Sequence, residues 1–257
     1  MRRVQRETVV TIPSGSGRAS GKAPGRLSKT LIAPFIKRAT VMAIDDVTDG
    51  FRLVTLEGAA LRGFAWMPGQ KIQIAMGSAF VARTYTPIEW DIALGRTRFL
   101  GYRHGEGPGS IWLAGVRVGD ECDLFGPRNS LAVNDMIGRV AVFGDETSIG
   151  LGHALARHDA ARSVACHFEV GNAESGKRVV DRLGMVDTRL FARRDDDAHL
   201  GALEATLSSL VASDASFVVT GKAGTIQRLR HELKRLGVSA NRVATKAYWA
   251  PGKTGLD

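Results

Sequence analysis

The apolar pattern of this chain changes its period near residue 136, and this change limits the folds open to it. Before it, short runs of β-branched and aromatic residues alternate with turn signals such as Asp49-Gly50 and Pro68-Gly69. After it, short apolar strands alternate with helical segments. Closely spaced short strands are typical of antiparallel barrels, and strands alternating with helices are typical of a parallel sheet covered on both faces. The sequence therefore predicts two different folding units.

The first unit is predicted to be an antiparallel six-stranded β-barrel. Its six strands and single helix are Ala39–Asp45, Phe51–Leu56, Lys71–Met76, Arg83–Ile88, Thr97–Tyr102 and Glu121–Phe125, with the helix at Ser110–Val116.

The second unit is predicted to be a parallel, doubly wound nucleotide-binding sheet. Its strands are Arg139–Phe143, Ser163–Val170, Thr188–Ala192, Ala215–Thr220 and Arg242–Tyr248, and its helices are Thr147–Arg157, Ala173–Leu183, Leu200–Leu210 and Thr225–Leu236. We therefore expect a basic tail over residues 1–35, a barrel domain over 36–135 and an α/β domain over 136–257.

The positive charge of the chain is concentrated at its N-terminal end. The formal net charge is +9, and residues 1–38 account for +8 of it, so the rest is nearly neutral. The stretch Ser14–Lys29 is rich in glycine, serine and alanine and has no apolar period, which predicts a disordered tail. A charged tail on a neutral body does not favour nucleic acid as the partner of the folded part.

Two further classes of protein are excluded by composition. An iron–sulfur cluster needs about four cysteine ligands, and the chain has only Cys122 and Cys166. A membrane-spanning helix needs an apolar run of about 18 residues or more, and none occurs. We expect a cytoplasmic protein with two reduced thiols and no metal site.

The first strand-to-helix turn of the second unit, GDETSIG, begins at Gly144. Glycine frees the turn, and the N–H groups at a helix start can receive a phosphate. The turn has neither the GxGxxG pattern nor the lysine of a P-loop. Asp145 and Thr147 could equally be helix caps.

Two segments of the barrel could bind a diphosphate together. Arg83-Thr84-Tyr85-Thr86 offers a guanidinium for a phosphate and a ring for a flat heterocycle. The loop His104–Ser110 holds three glycines and opens a short helix, so its N–H groups can face an anion.

These motifs carry a resemblance to a known family. RTYT, then HGEGPGSIW, then GDET and the final Tyr248-Trp249 occur in the order found in the siderophore-interacting proteins, a branch of the ferredoxin-NADP reductase superfamily. The resemblance covers about residues 39–253. Ala82, Ile149-Gly150 and Lys222 depart from the family pattern.

The resemblance implies a FAD-binding barrel, an NAD(P)H-binding second domain and, as electron acceptor, a ferric siderophore that releases Fe(II). Arg83 would bind the FAD diphosphate, Tyr85 would lie against the flavin ring, and Thr86 would lie near flavin N5. The other cofactor-binding residues it implies are Thr84, Tyr102, His104, Gly107, Gly109, Ser110, Gly144, Asp145, Glu146, Thr147, Tyr248 and Trp249.

A ferric siderophore is often anionic, so cations near the flavin edge are the candidate substrate-binding residues: Arg128, Lys222, Lys246 and Lys253. The end of the second α/β strand has no cation for a 2′-phosphate, which favours NADH. Two alternatives stay open: a reductase of the same fold with a ferredoxin, flavodoxin or oxygenase as acceptor, and a non-catalytic flavin-binding module whose tail binds polyanions.

Overall fold

The computed structural model describes residues 36–78, 81–133 and 136–252. The predicted disordered tail and Lys253 lie outside these residues. Within them, no helix has the length and apolar content needed to cross a membrane.

The antiparallel sheet has seven strands in the order β4-β3-β7-β1-β2-β6-β5. They are β1 Lys37–Thr48, β2 Phe51–Glu57, β3 Gln70–Ser78, β4 Val81–Tyr85, β5 Pro87–Asp91, β6 Arg96–Tyr102 and β7 Glu121–Asn129. Only Thr86 separates edge strand β4 from edge strand β5. The two edges of the sheet therefore meet at Thr86, and the sheet curls into a barrel.

The barrel differs from the prediction at one strand. The stretch Arg83–Ile88 was expected to be continuous, but β4 ends at Tyr85 and β5 begins at Pro87, which gives seven strands instead of six. Proline has no N–H to donate to a ladder and is confined to strand starts and edges, which explains the break.

The second sheet is parallel, with five strands in the order β10-β9-β8-β11-β12. These are β8 Val140–Asp145, β9 Val164–Val170, β10 Thr188–Ala192, β11 Ser216–Lys222 and β12 Val243–Trp249. The chain moves outward from β8 to β10 and then returns to β11 on the other side of β8. The order therefore reverses between β8 and β11, and the crevice beyond their carboxyl ends is the usual ligand position in such sheets.

The helices are α1 Pro108–Gly115, α2 Ile149–His158, α3 Ala173–Arg182, α4 Ala198–Glu204, α5 Leu207–Ala212 and α6 Ala223–Arg235. The predicted helix Leu200–Leu210 is two helices. The Thr206 hydroxyl donates to the Leu203 carbonyl at 2.7 Å between them. Local bonds of this kind compete with the helical pattern.

One apolar cluster contains residues of both sheets. Phe51 and Ile88 of the barrel are buried in the same cluster as Val142 and Phe168 of the parallel sheet. At the start of α2, a Cβ on Gly150 would lie 3.3 Å from Ile88 Cγ2, so this glycine lets the helix approach the barrel closely. The fold thus brings the end of β4 beside the carboxyl edge of the parallel sheet.

Candidate functional site

Arg83 and the start of α1 lie against each other. A Cβ on Gly109 would be 3.2 Å from Arg83 Cγ and 3.5 Å from the Tyr85 hydroxyl oxygen. The Arg83 guanidinium donates to the Ala82 carbonyl at 2.8 Å. No carboxylate pairs with it within residues 36–78, 81–133 and 136–252. The Arg83 side chain therefore lies next to the N-terminus of α1.

The glycine loop before α1 is closed by Ser110. Its hydroxyl donates to the His104 carbonyl at 2.8 Å and accepts from the His104 N–H at 3.0 Å. Gly105 has φ +62°, which favours glycine, and Gly107 caps the helix through its backbone. The first N–H groups of a helix have no partner within it. A cavity of about 630 Å³ opens beside the loop.

Tyr85 is half-buried, and its ring packs on the barrel core. Its centroid is 4.4 Å from that of Phe99 and 6.1 Å from that of Trp112. Burial raises the pKa of Tyr85 above its usual value. Its neighbour Thr84 pairs with Gln73 of β3. Tyr85 is therefore a neutral ring that lies near Gly109, as Arg83 of the same strand does.

Tyr102 joins the barrel to the first α/β turn. Its ring stacks on His104 at 5.6 Å, and its hydroxyl donates to Glu146 Oε1 at 3.4 Å. Burial, followed by the charge of Glu146, raises the pKa of Tyr102 to about 12. Tyr102 and Glu146 line a cavity of about 350 Å³ between the barrel and the start of α3.

Asp145 anchors the C-terminal strand. It is fully buried at the end of β8 and accepts from the Thr147 N–H at 2.9 Å and from Trp249 Nε1 at 2.7 Å. Burial raises the pKa of Asp145, and the hydrogen bonds from Thr147 and Trp249 oppose that rise. As the sequence allowed, Asp145 caps the turn at Glu146–Ser148.

Tyr248 lies at an irregularity in the sheet. In the register of β11 and β12, Gly221 pairs with Ala247 and Lys222 with Trp249, so Tyr248 is the extra residue. Burial raises the pKa of Tyr248 to about 12, and the side chains of Thr86 and Thr220 oppose that rise. This strand end therefore reaches the segment where β4 ends.

Sequence reasoning missed an ion network behind Glu146. Glu146 Oε2 accepts from Arg193 Nη2 at 2.8 Å, and Arg193 Nε lies 3.7 Å from Glu169 Oε2. Glu169 also accepts from the Thr225 hydroxyl at 2.7 Å and lies 2.8 Å from His199 Nε2. Two signals were present: Glu169 is a charge inside an apolar strand, and Arg193 directly follows β10.

Three of the predicted substrate-binding cations are among the described residues, and they lie on two sheets. Arg128 is exposed on barrel strand β7 and donates to Gln73. Lys222 and Lys246 are half-buried on the neighbouring strands β11 and β12, and Lys222 Nζ is 3.7 Å from Asp197 Oδ1. Of these three described cations, the two lysines lie on the sheet whose carboxyl edge holds Asp145 and Trp249.

Comparison with known proteins supports the resemblance. The profile of the family described as "Siderophore-interacting protein" matches residues 138–252. The predicted resemblance is thereby confirmed over this part of the chain. No match was found among curated proteins.

Solved structures share the fold at low identity. The siderophore-interacting protein SipS of Aeromonas hydrophila is similar with a TM-score of 0.69 and 22% identity, over 85% of this chain and 93% of that one. The siderophore-interacting protein of Acinetobacter baumannii has a TM-score of 0.71 and 17% identity, over 85% and 92%. The ferredoxin reductase in carbazole 1,9a-dioxygenase is similar with a TM-score of 0.70 and 18% identity, over 83% of this chain and 69% of that one. The predicted ferredoxin-reductase-like fold, a barrel followed by a parallel α/β sheet, is confirmed.

Proposed function

We propose that this protein is a flavin-dependent reductase that passes electrons from NADH through FAD to a ferric siderophore. The family match and the ferredoxin-reductase-like fold support a reductase of this kind. The observation that carries the proposal is the contact between Arg83 and Gly109.

The residues at this contact fit the FAD diphosphate. A guanidinium without a carboxylate partner in the described chain and a helix N-terminus both favour an anion. A side chain at position 109 would press on Arg83, so glycine keeps the space between them open. Tyr85 and Thr86 follow on the same segment and would hold the isoalloxazine. Bound FAD supplies the ability to accept two electrons together and to release them singly.

The nicotinamide nucleotide would bind at the switch point, beyond the carboxyl ends of β8 and β11. Gly144 and Gly221 lie at the ends of these strands and leave room for the side chains of Ser148 and Asp145, and Asp145 holds the Trp249 ring there. The cations after β9 support NADH over NADPH. Lys177 pairs with Asp181 at 2.6 Å and Arg178 pairs with Glu174 at 2.5 Å, so each already has a carboxylate partner.

The acceptor in this proposal is an anionic iron complex. Lys246 would attract an anionic iron complex to the nucleotide side of the site, whereas Lys222 already has Asp197 as a carboxylate partner at 3.7 Å. The similarity to a ferredoxin reductase supports a second candidate, in which the acceptor is a redox protein.

An anaerobic titration tests the proposal and separates the acceptors. The purified protein should bind FAD, and NADH should bleach the flavin absorbance at lower concentration than NADPH. Adding a ferric siderophore with an Fe(II) chelator should then restore the absorbance and colour the chelator. Bleaching without Fe(II) release would point to a protein acceptor. Failure to bind FAD would contradict the whole proposal.

The variant that tests the acceptor site is Lys246→Gln. Its control is the separate variant Lys234→Gln, at a lysine in the last turn of α6. Loss of Fe(II) release in Lys246→Gln but not in Lys234→Gln would support a siderophore site at β12. Equal rates in both variants would remove Lys246 from the site.

A further inference from the structure

Arg52 of β2 holds the C-terminal end of α1. Its Nη1 group donates to the carbonyls of Leu113 and Val116, the second at 3.4 Å. Leu113 lies in the last turn of the helix and Val116 is its C-cap, and carbonyls at a helix end have no partner further along the helix. The last turn itself contains no basic residue. Arg52 therefore supplies from the barrel the cation and the donors that this helix end lacks.

The guanidinium of Arg52 is also held from its other side. Its Nε and Nη2 groups both donate to the Asp46 carboxylate, Nη2 at 3.1 Å. The Arg52 side chain is 16% exposed. A planar guanidinium has five donors in a fixed fork, so one part of it can bind a carboxylate while another binds carbonyls. The ion pair with Asp46 thus orients Arg52 towards the helix.

A second contact fixes the same point of α1. In the register of β2 and β6, Arg52 is paired with Gly101, so the two positions face the same side of the sheet. A Cβ on Gly101 would lie 2.5 Å from Leu113 Cδ2, and Leu113 is 1% exposed. Leu113 is therefore held by its side chain on Gly101 and by its carbonyl on Arg52.

The N-terminal end of α1 keeps its free N–H groups. No side chain caps it within the described residues, and its first turn contains no acidic residue. Gly109 in this turn is the residue that lies against Arg83. The helix has 8 residues, which corresponds to a length of about 12 Å. Anchoring so short a helix at Leu113 also determines where the N–H groups of its first turn point.

We propose that Arg52 is a positioning residue for FAD: by fixing the C-terminal end of α1, it aims the N-terminal N–H groups at the diphosphate beside Arg83. This inference rests on the proposed function, which places the FAD diphosphate at the contact between Arg83 and Gly109. The contacts of Arg52 with α1 lie at the other end of the helix. Losing them should therefore weaken the binding of the phosphates and leave the binding of the flavin ring unchanged.

The experiment compares two ligands on the full-length apoprotein: FAD, and riboflavin, which has the same ring and no phosphate. Arg52→Met keeps the aliphatic part of the side chain and removes its donors to α1. We expect its affinity for FAD to fall about 3- to 10-fold, as for the loss of a hydrogen bond, while its affinity for riboflavin stays within about twofold of the wild type. A general loss of structure would weaken both ligands alike, so the ratio of the two affinities is the measurement.

The matched control is Arg96→Met. Arg96 lies on the neighbouring strand β6, pairs with Glu57 of β2 at 2.8 Å and makes no hydrogen bond to α1 within the described chain. Its removal should leave the ratio unchanged. Arg52→Lys is a second, milder variant, because lysine keeps a cation at the helix end but lacks the planar fork that joins α1 to Asp46. It should lose part of the FAD affinity, and it is the variant to use if Arg52→Met does not fold.

The outcomes separate this inference from the function on which it rests. Weaker FAD binding with unchanged riboflavin binding in the Arg52 variants, and an unchanged ratio in Arg96→Met, would support it. If the wild type prefers FAD to riboflavin and the Arg52 variants keep its ratio, or if Arg96→Met changes the ratio equally, the inference is overturned and the proposed function stands. If the wild type binds FAD no more tightly than riboflavin, the diphosphate site is wrong and both fall.

Discussion

At the residue scale, two glycines determine how the carboxyl edge of the parallel sheet is packed. A Cβ on Gly144 would lie 2.4 Å from Ser148 Cβ, and a Cβ on Gly221 would lie 2.5 Å from Asp145 Oδ2. Gly221 also has φ +98°, a conformation that other residues rarely adopt. The sequence indicated Gly144 as a turn residue. It could not show that Gly221 makes room for a buried carboxylate, because that contact joins strands far apart in the chain.

Arg83→Ala should weaken FAD binding about 10- to 100-fold, because a hydrogen bond to a charged group contributes about 1.5–3 kcal/mol. The measurement is a fluorescence titration of the apoprotein with FAD. Arg98→Ala is the control, since Arg98 pairs with Glu89 on the neighbouring strand at 3.1 Å. Equal affinity in the two variants would remove Arg83 from the diphosphate site.

His167 should make the protein less stable in acid. It is 4% exposed and stacked on Phe143 at 4.7 Å, and neither ring nitrogen has a hydrogen-bond partner in the described part of the chain. Burial lowers the pKa of His167 to about 4 from its ordinary 6.5. Between pH 6.5 and 4, His167 therefore binds a proton in the unfolded chain but stays neutral in the folded chain. Stability should fall by about 1.4 kcal/mol per pH unit from 6.5 to 4, about 3 kcal/mol in all.

Urea unfolding at several pH values tests this. In His167→Phe the fall between pH 6.5 and 4 should be smaller by that amount. His231→Phe, at an exposed position on α6, should keep the wild-type profile. The same slope in both variants would show that other groups cause the acid sensitivity.

At the scale of elements, the sequence located the regions of the described β-strands and α-helices but not every break, and it missed the short 3-10 helices Ala59–Leu61 and Ala240–Arg242. The sequence identifies β9 and β10 because each is a short apolar run between two helical segments, and this alternation can be seen locally in the sequence. It missed the break at Thr86 and the turn between α4 and α5, which depend on one proline and one threonine side chain. The ion network of Glu146, Arg193 and Glu169 was also missed, because it joins the ends of three strands that meet only in the folded sheet.

Gly109→Ala should separate the function of α1 from its stability. Alanine favours a helix over glycine by up to about 1 kcal/mol, so the melting temperature should not fall. FAD affinity should fall severalfold, because the new Cβ lies 3.2 Å from Arg83 Cγ in the space proposed for the diphosphate. Gly115→Ala, in the same helix with no atom within 4 Å of its Cβ, should keep full affinity. Loss of affinity in both would show that helix rigidity, and not the approach to Arg83, matters.

At the scale of the whole molecule, the change of pattern near residue 136 separates two sheets that each have an apolar cluster of their own and share a third. Phe35–Asp257 forms one compact unit. An ion pair between Arg182 of α3 and Asp45 of β1 at 2.6 Å adds to the shared apolar cluster. The sequence could predict the two sheets from local periods. It could not predict that barrel residues such as Phe51 and Ile88 are buried against the second sheet.

The shared core predicts one cooperative unfolding transition. Calorimetry should give a single peak whose calorimetric and van't Hoff enthalpies agree, as expected for a two-state protein. Ile88→Ala removes a side chain that is 3% exposed and packs against Gly150, and it should cost about 2–5 kcal/mol. Because Ile88 is buried in the cluster that contains residues of both sheets, the peak should move as a whole. Ile137→Ala, at a side chain 87% exposed, should leave it in place. Two separate peaks, of which Ile88→Ala moved only one, would instead show that the barrel and the α/β sheet unfold as independent domains.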